Sequence, residues 1–388
     1  MKSFEYHQTT KIVFGKGRIN ELGEIAGTFG KKVMFVTTDS KNEGLSEQFE
    51  RVKRILTDYG LDVEHFDGVI PNPDLKCIAE GSEMARSFKA DVIIGLGGGS
   101  SMDAAKAISV EASHEGSCWD YLFYKDSQPE KDKLIPVIAV STTSGTGSQV
   151  TQVAVVTNTE TRDKSAIYNN NIYPEIAIID PELMVSVPGF VTACTGFDVF
   201  CHAFESILNP GSSEYTNLMA WEAISIVIKT LPALLSDLKS VELRERMSWA
   251  DTMAGLCIAN AGVTLPHGMG MAIGGMYPKV SHGEALAIVY PACMRFTKES
   301  AIDEYRKLSS VLNPDFAKLS NSDSAEAAVE GIDSFLKSIG LFKTLSTVSV
   351  PESEINLLAK QCMVLPDYKA NPRVATEGEM LKLVQDSY

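Results

Sequence analysis

The 388-residue chain has no CxxC pair; its seven cysteines, at positions 77, 118, 194, 201, 257, 293 and 362, are scattered. An odd, dispersed set excludes a disulfide framework and points to reduced thiols in a cytoplasmic protein. A basic surplus is also missing. The net charge of −15 offers nothing to offset repulsion from a polyanion, which excludes nucleic acid as a partner. The opening MKSFEYHQTTK has no apolar core, so no signal peptide is expected. No stretch is read as approaching the roughly 18 apolar residues of a membrane span, so no membrane partner is expected either. Internal repeats and low-complexity segments are absent. Histidine is scarce, with six in all. What remains is an ordinary globular composition, 44% hydrophobic and 22% charged, at a length that suggests two domains.

The first half alternates strand and helix signals. Strands are expected at KVMFVT (32–37), VEHF (63–66), DVIIG (91–95), IPVIAV (135–140) and IAIID (176–180). Helices are expected between them at 46–58, 75–88 and 101–112, where apolar residues recur at helical spacing. Such alternation predicts βαβ units and a parallel sheet. From about Val191 onward nearly every segment reads as helix, including two long amphipathic ones at 218–235 and 241–259. The division falls near residue 185: an α/β nucleotide-type domain over 1–185, then a helical domain over 186–388.

Two polar glycine loops stand out. The first, Gly95-Leu96-Gly97-Gly98-Gly99-Ser100-Ser101-Met102-Asp103, follows an apolar strand, read as the third, and opens a helix. Glycines let backbone approach a pyrophosphate, and the helix start supplies free amides. A plain tight turn is the alternative, but it does not require four glycines in five residues. The second loop, Ser141 to Ser148 (STTSGTGS), follows the next strand. Two such loops at consecutive strand ends suit a dinucleotide lying across a sheet edge. Beyond the KVMFVT strand, Asp39 can bind ribose hydroxyls and repel a 2′-phosphate, which favours NAD; a surface turn acid is the plain alternative. Trp119, Tyr121 and Phe123 are candidates for lining a pocket, with core packing as the ordinary reading.

The helical half holds Asp198 and His202, four apart and therefore on one helix face. A cation can bridge such a pair; an Asp–His hydrogen bond is the plain alternative. Three of the six histidines lie in this half, and His267 and His282 flank the glycine-rich GMGMAIGGMYPKVS. Imidazoles with one carboxylate suit Fe(II), Zn(II), Mn(II), Co(II) or Ni(II), with room for a substrate oxygen. His65 and His114 have no such context and read as structural.

GGGSSMDAAK (97–106), STTSGTGSQVT (141–151), IAIIDPELM (176–184), the Asp198/His202 pair and the His267…His282 segment occur in that order. With the opening KIVFGKGRINELG and the closing ANPRVATEGEMLKL, the sequence resembles the iron-containing (group III) alcohol dehydrogenases, relatives of the butanol, propanediol and lactaldehyde dehydrogenases. The resemblance implies an α/β dinucleotide-binding domain and an all-helical domain of the dehydroquinate-synthase-like type, with the active site between them. It implies that Asp198, His202, His267 and His282 hold a catalytic divalent metal, Fe²⁺ before Zn²⁺. It implies that Gly97, Gly98, Gly99, Ser100, Asp103, Thr142, Thr143, Thr146, Ser148 and Lys164 line the NAD(P) site, with Asn72 close by. The implied activity is hydride transfer between NAD(P)(H) and a small primary alcohol or aldehyde, and the implied assembly is a homodimer or larger homo-oligomer.

Three departures from the family pattern stand out. Met271 stands where many members carry a histidine thought to relay protons, Gln149 replaces the usual acid of GTGSE, and His267 and His282 lie fifteen rather than fourteen residues apart. The rival activities on this fold are transhydrogenation between hydroxy and oxo acids, and cyclisation. The latter needs a basic cluster, and only Lys279 and Arg295 fall between 260 and 295. A non-catalytic relative that binds nucleotide and metal is the remaining reading, weakened because all four ligand positions are filled.

Overall fold

The computed structural model describes residues 2–41 and 44–388. The chain folds as two compact units. The α/β unit comprises His7–Pro188 and Leu238–Ser248; the helical unit comprises Gly189–Asp237, Trp249–Tyr388 and the N-terminal residues through Tyr6.

In the α/β unit the elements run β1 (Lys11–Phe14), α1 (Leu22–Gly27), β2 (Lys32–Thr38), α2 (Ser46–Asp58), β3 (Asp62–Val69), α3 (Leu75–Phe88), β4 (Val92–Gly97), α4 (Gly99–Ser113), β5 (Val137–Ser141), β6 (Val153–Asn158), β7 (Asp163–Tyr168) and β8 (Ile176–Ile179). Six strands pair in parallel in the order β1-β8-β5-β4-β2-β3, while β6 and β7 form a separate antiparallel hairpin. The apolar runs explain the sheet. Val92–Gly97 is buried throughout, as a strand covered by helices on both faces must be. Two cores form, one around Met34, Ile93, Ala105 and Ile108, the other around Phe35, Ile94, Val140 and Ile178. Fully burying each such side chain contributes about 1.5–3 kcal/mol. Asp74 caps α3 by accepting the Cys77 N–H at 2.8 Å.

The structure adds to the sequence reading at three places. Lys11–Phe14 is a strand, so the first glycine loop follows the fourth strand rather than the third. Four residues paired only to β8 are too short for a periodicity signal. The hairpin of β6 and β7 was likewise unread. Its ladder leaves it outside the main sheet, and strand–helix alternation carries no signal for it. Third, Trp119 packs against the apolar core, and Tyr121 is buried there, its hydroxyl donating to the Glu115 carbonyl at 2.9 Å. Of the three aromatic candidates only Phe123 is exposed.

The helical unit runs α5 (Gly189–Leu208), α6 (Glu214–Ser236), α7 (Val241–Ala261), α8 (Leu265–Met276), α9 (His282–Thr297), α10 (Ile302–Leu312), α11 (Asn321–Ser338), α12 (Ile355–Gln361) and α13 (Glu377–Asp386). The first turns of α7 belong to the α/β unit, where Arg244 donates to the Val187 carbonyl at 2.9 Å and Lys16 pairs with Glu245 at 3.2 Å. Beyond Ala250 this helix is buried on most sides, so it is not amphipathic along its whole length. Among the described residues α6 is long and apolar enough by composition to cross a membrane, contrary to the reading that no stretch approaches that length. It packs instead along α5, burying Ala220, Ile224, Val227, Leu231 and Leu234. The capping box of Ser213 and Thr216 starts it.

Candidate active site

Within the α/β unit the glycine loops lie where strand order reverses. The chain passes from β2 outward to β3 and returns to β4 on the other side of β2. Crevices at the carboxyl ends of strands flanking such a reversal are where open parallel sheets bind ligands. Gly97 ends β4 at φ +151°, and a Cβ there would stand 2.4 Å from Ser101 Oγ. The next glycines meet the second loop: a Cβ on Gly99 would lie 2.7 Å from Thr146 Cγ2, and one on Gly98 3.2 Å from Thr143 Oγ1. The Thr142 N–H donates to the Gly97 carbonyl at 2.9 Å, joining the loops directly. Helix α4 starts at Gly99 with no side-chain cap; the Ser101 and Met102 amides already donate to the Gly98 carbonyl, which leaves those of Gly99 and Ser100 for an anion. Ser101 Oγ is buried with no hydrogen-bond partner among the described residues. These features fit a dinucleotide pyrophosphate.

A buried lysine supports the second loop. The Lys106 ammonium, fully buried, donates to the Ser148 carbonyl at 2.7 Å, Ser148 Oγ at 2.9 Å, the Thr151 carbonyl at 3.0 Å and the Val153 carbonyl at 2.7 Å. Burial pulls its pKa down to about 8, against the pull of Asp103 upward. Asp103 in turn accepts the Ser148 hydroxyl at 2.5 Å and the Val155 N–H at 3.1 Å. Asp103 and Ser148, both predicted cofactor residues, are thus tied to each other. The Lys164 ammonium donates to Asn72 Oδ1 at 2.8 Å, which brings another predicted pair together. Asp39 is exposed just past β2 and accepts the Lys41 N–H at 2.9 Å. Beside it the Ser40 hydroxyl donates to Asp67 at 2.5 Å, which holds the Asp67 carboxyl below its ordinary range. His65 and His114 are structural: His65 Nε2 lies 2.8 Å from Thr37 Oγ1, and His114 bonds the Val110 carbonyl and the Glu130 N–H.

In the helical unit the four predicted metal ligands converge. Asp198 and His202 project from α5, His267 from the first turn of α8, and His282 from the start of α9. Asp198 Oδ1 lies 3.6 Å from His202 Nε2, 3.5 Å from His267 Nε2 and 3.9 Å from His282 Nε2. The His202 and His267 rings stack at 4.6 Å, and those of His267 and His282 are 5.3 Å apart. Ligand atoms sharing a tetrahedral cation at about 2.1 Å stand about 3.4 Å from one another, close to the three distances from Asp198 Oδ1. Asp198, His267 and His282 each offer an atom within 4.8 Å of the other two, whereas His202 meets the set through Asp198 and His267. Asp198 Oδ1 and His267 Nε2, both buried, face each other at 3.5 Å without a well-formed hydrogen bond. Burial pulls the His267 imidazole down, but Glu205 and Asp198 outweigh it and raise its pKa to about 10, so a cation entering here takes the place of a proton held between two carboxylates. Burial pushes the Asp198 carboxyl up, but His202, His282 and His267 together outweigh it and hold it at about 2. It is therefore an anion at any working pH. His282 is the most exposed of the four, its side chain 23% accessible, which opens that flank to a small molecule.

One residue of this site was not read from the sequence. Glu205, fully buried on α5, lies 2.7 Å from His267 Nδ1. The available signal was a stripe: Asp198, His202 and Glu205 stand at i, i+4 and i+7, polar residues on one face of a helix that is otherwise almost wholly apolar and buried. Met271 lies one turn beyond His267 on α8. Arg295, one of the two basic residues weighed for a cyclase, pairs with Asp333.

Two family profiles match the chain: that of the iron-containing alcohol dehydrogenases over residues 9–181, and the C-terminal one of the same family over residues 192–388. The chain is 31% identical to an NAD-dependent methanol dehydrogenase of Bacillus methanolicus, covering 97% of each chain. It is 30% identical to a 1,3-propanediol dehydrogenase of Citrobacter freundii, covering 100% of this chain and 99% of the relative. Among solved structures it is similar to an archaeal halo-thermophilic alcohol dehydrogenase from a Red Sea brine pool, with a TM-score of 0.93, 32% identity and full coverage of both chains.

Proposed function

Because the chain belongs to the iron-containing alcohol dehydrogenase family and is an NAD-dependent oxidoreductase of alcohols and aldehydes, we propose that Asp198, His202, His267 and His282 hold the one divalent cation its chemistry requires. The observation that carries this reading is the convergence of three imidazole nitrogens on the single buried oxygen Asp198 Oδ1. When bound, the cation supplies a Lewis acid for the substrate oxygen and the nicotinamide supplies the hydride acceptor or donor.

The chain's own residues do the rest. Asp198 contributes the charge that retains a cation, and the three imidazoles complete its donor set while leaving the His282 flank for a small primary alcohol or aldehyde. The amides of Gly97–Ser100 at the start of α4 receive the pyrophosphate, and Thr142, Thr143 and Thr146 face them across the loop junction. Asp103, Ser148, Asn72 and Lys164 hold that junction in shape. Asp39, with Asp67 beside it, disfavours a 2′-phosphate and selects NAD over NADP. No imidazole stands at Met271, so the proton released by the alcohol leaves through another group.

The protein is further proposed to be a cytoplasmic homo-oligomer. Seven free, buried cysteines support a reducing compartment. The exposed side chains of Phe4, Tyr215 and Leu218, with Phe4 stacked on Tyr215, support self-association. The activity is tested by incubating Fe²⁺-loaded protein anaerobically with butanal and NADH, then with NADPH. Oxidation of NADH well ahead of NADPH is expected; no turnover with a panel of short aldehydes and diols would refute the reading.

A further inference from the structure

We infer that Glu205 is a positioning residue that fixes the His267 ring so that Nε2 faces Asp198. The inference rests on the reading that Asp198, His202, His267 and His282 hold a cation. Glu205 Oε1 lies 2.7 Å from His267 Nδ1, while Oε2 accepts the Thr264 N–H at 2.8 Å and the Thr264 hydroxyl at 3.2 Å. An ionised carboxylate only accepts hydrogen bonds. When a cation takes the place of the Nε2 proton, the hydrogen that remains sits on Nδ1, and the Nε2 lone pair is free for a cation shared with Asp198 Oδ1, 3.5 Å away.

The second oxygen fixes the backbone from which the ring extends. Thr264 is the N-cap of α8, and its own side chain makes no cap hydrogen bond. His267 is the third residue of that helix. Glu205 therefore does from a neighbouring helix what the N3 carboxylate of a capping box does from within. Its negative charge also lies at the positive end of the α8 dipole. One side chain thus sets both the position of the helix start and the rotation of the ring. Charge agrees in sign: the Asp198 and Glu205 carboxylates offset a divalent cation, and burial pushes the neighbouring Asp367 carboxyl up, toward its neutral form.

The test uses the metal-stripped full-length protein and reads Co²⁺ and Zn²⁺ affinity by competition with a chromophoric chelator, with melting of the stripped protein as the folding control. Glu205→Ala is expected to weaken binding by about 10–100-fold, the usual effect of losing such a partner. Glu205→Gln, the same shape but with only one acceptor oxygen, is expected to weaken it by less. In a His267→Ala background either substitution is expected to cost almost nothing further, because Glu205 acts through that ring. Affinity unchanged in Glu205→Ala, or a loss of the same size with and without His267, overturns the inference. Should Glu205→Ala not fold, the same comparison with Glu205→Gln decides it. If the unsubstituted protein binds no cation, or His267→Ala binds as tightly as it does, the cation site itself fails and takes the inference with it.

Discussion

Replacing Asp198 by Ala is expected to lower kcat/KM for alcohol oxidation by about 10³ or more, since Lewis-acid stabilisation is worth several kcal/mol and each 1.4 kcal/mol is tenfold in rate. The reason is geometric. Asp198 Oδ1 lies within 4 Å of the Nε2 atoms of His202, His267 and His282. Removing it deletes the only carboxylate of the proposed donor set and leaves three imidazoles without the anion that retains and centres the cation. Asp198→Asn separates charge from shape. It preserves the packing of a side chain that is 2% exposed yet lacks the charge, so a loss nearly as deep is expected. The NAD dissociation constant, set by loops of the α/β unit, is expected to stay within about twofold, because the substituted site shares no residue with those loops. Steady-state NADH formation and fluorescence titration of NAD check the two halves. Asp198→Asn turning over at the unsubstituted rate would show that the carboxylate charge is dispensable.

The second large effect is on stability. Lys106→Met is expected to destabilise the protein by about 3–5 kcal/mol, the cost of removing one partner from a buried charged network. The substitution leaves the Ser148, Thr151 and Val153 carbonyls without their shared donor and Asp103 without its nearest cation. The same change loosens the loop of Thr142 to Ser148, so the KM for NAD is expected to rise while the affinity for Zn²⁺ is unchanged. Urea unfolding of the metal-stripped protein measures the first effect. A shift below about 1 kcal/mol, within the range of an ordinary surface substitution, would contradict the role given to Lys106.

Much of this architecture was legible in the sequence because strong local signals agreed with the fold. Leu75–Phe88 forms the helix its apolar spacing requires, and the strands at 92–97 and 137–141 match runs too apolar to sit at an edge. That Asp198, His202, His267 and His282 come together was legible through scarcity: six histidines, three of them in the helical half, two flanking a glycine-rich run and one four residues from an acid. What stayed hidden was nonlocal. β1 is a strand only because β8 lies beside it, and the hairpin of β6 and β7 answers to no βαβ alternation. A division drawn at residue 185 has no means of assigning Leu238–Ser248 to the first unit, since Arg244 is recruited by a carbonyl at Val187. Glu205 was missed for a related reason: its partners, Thr264 and His267, lie on another helix. Apolar core-packing helices such as α6 mislead in the other direction, because a helix apolar enough to pack on a protein core resembles one apolar enough for a bilayer.

The most direct measurement is a titration of chelator-stripped protein with Fe²⁺ under anaerobic conditions, following NADH oxidation by an aldehyde. Negligible turnover at the start, rising linearly to a plateau at one equivalent per chain, is the predicted result, with Asp198→Ala flat throughout. Full turnover by the stripped protein, or an Asp198→Ala trace that follows the unsubstituted one, would contradict it.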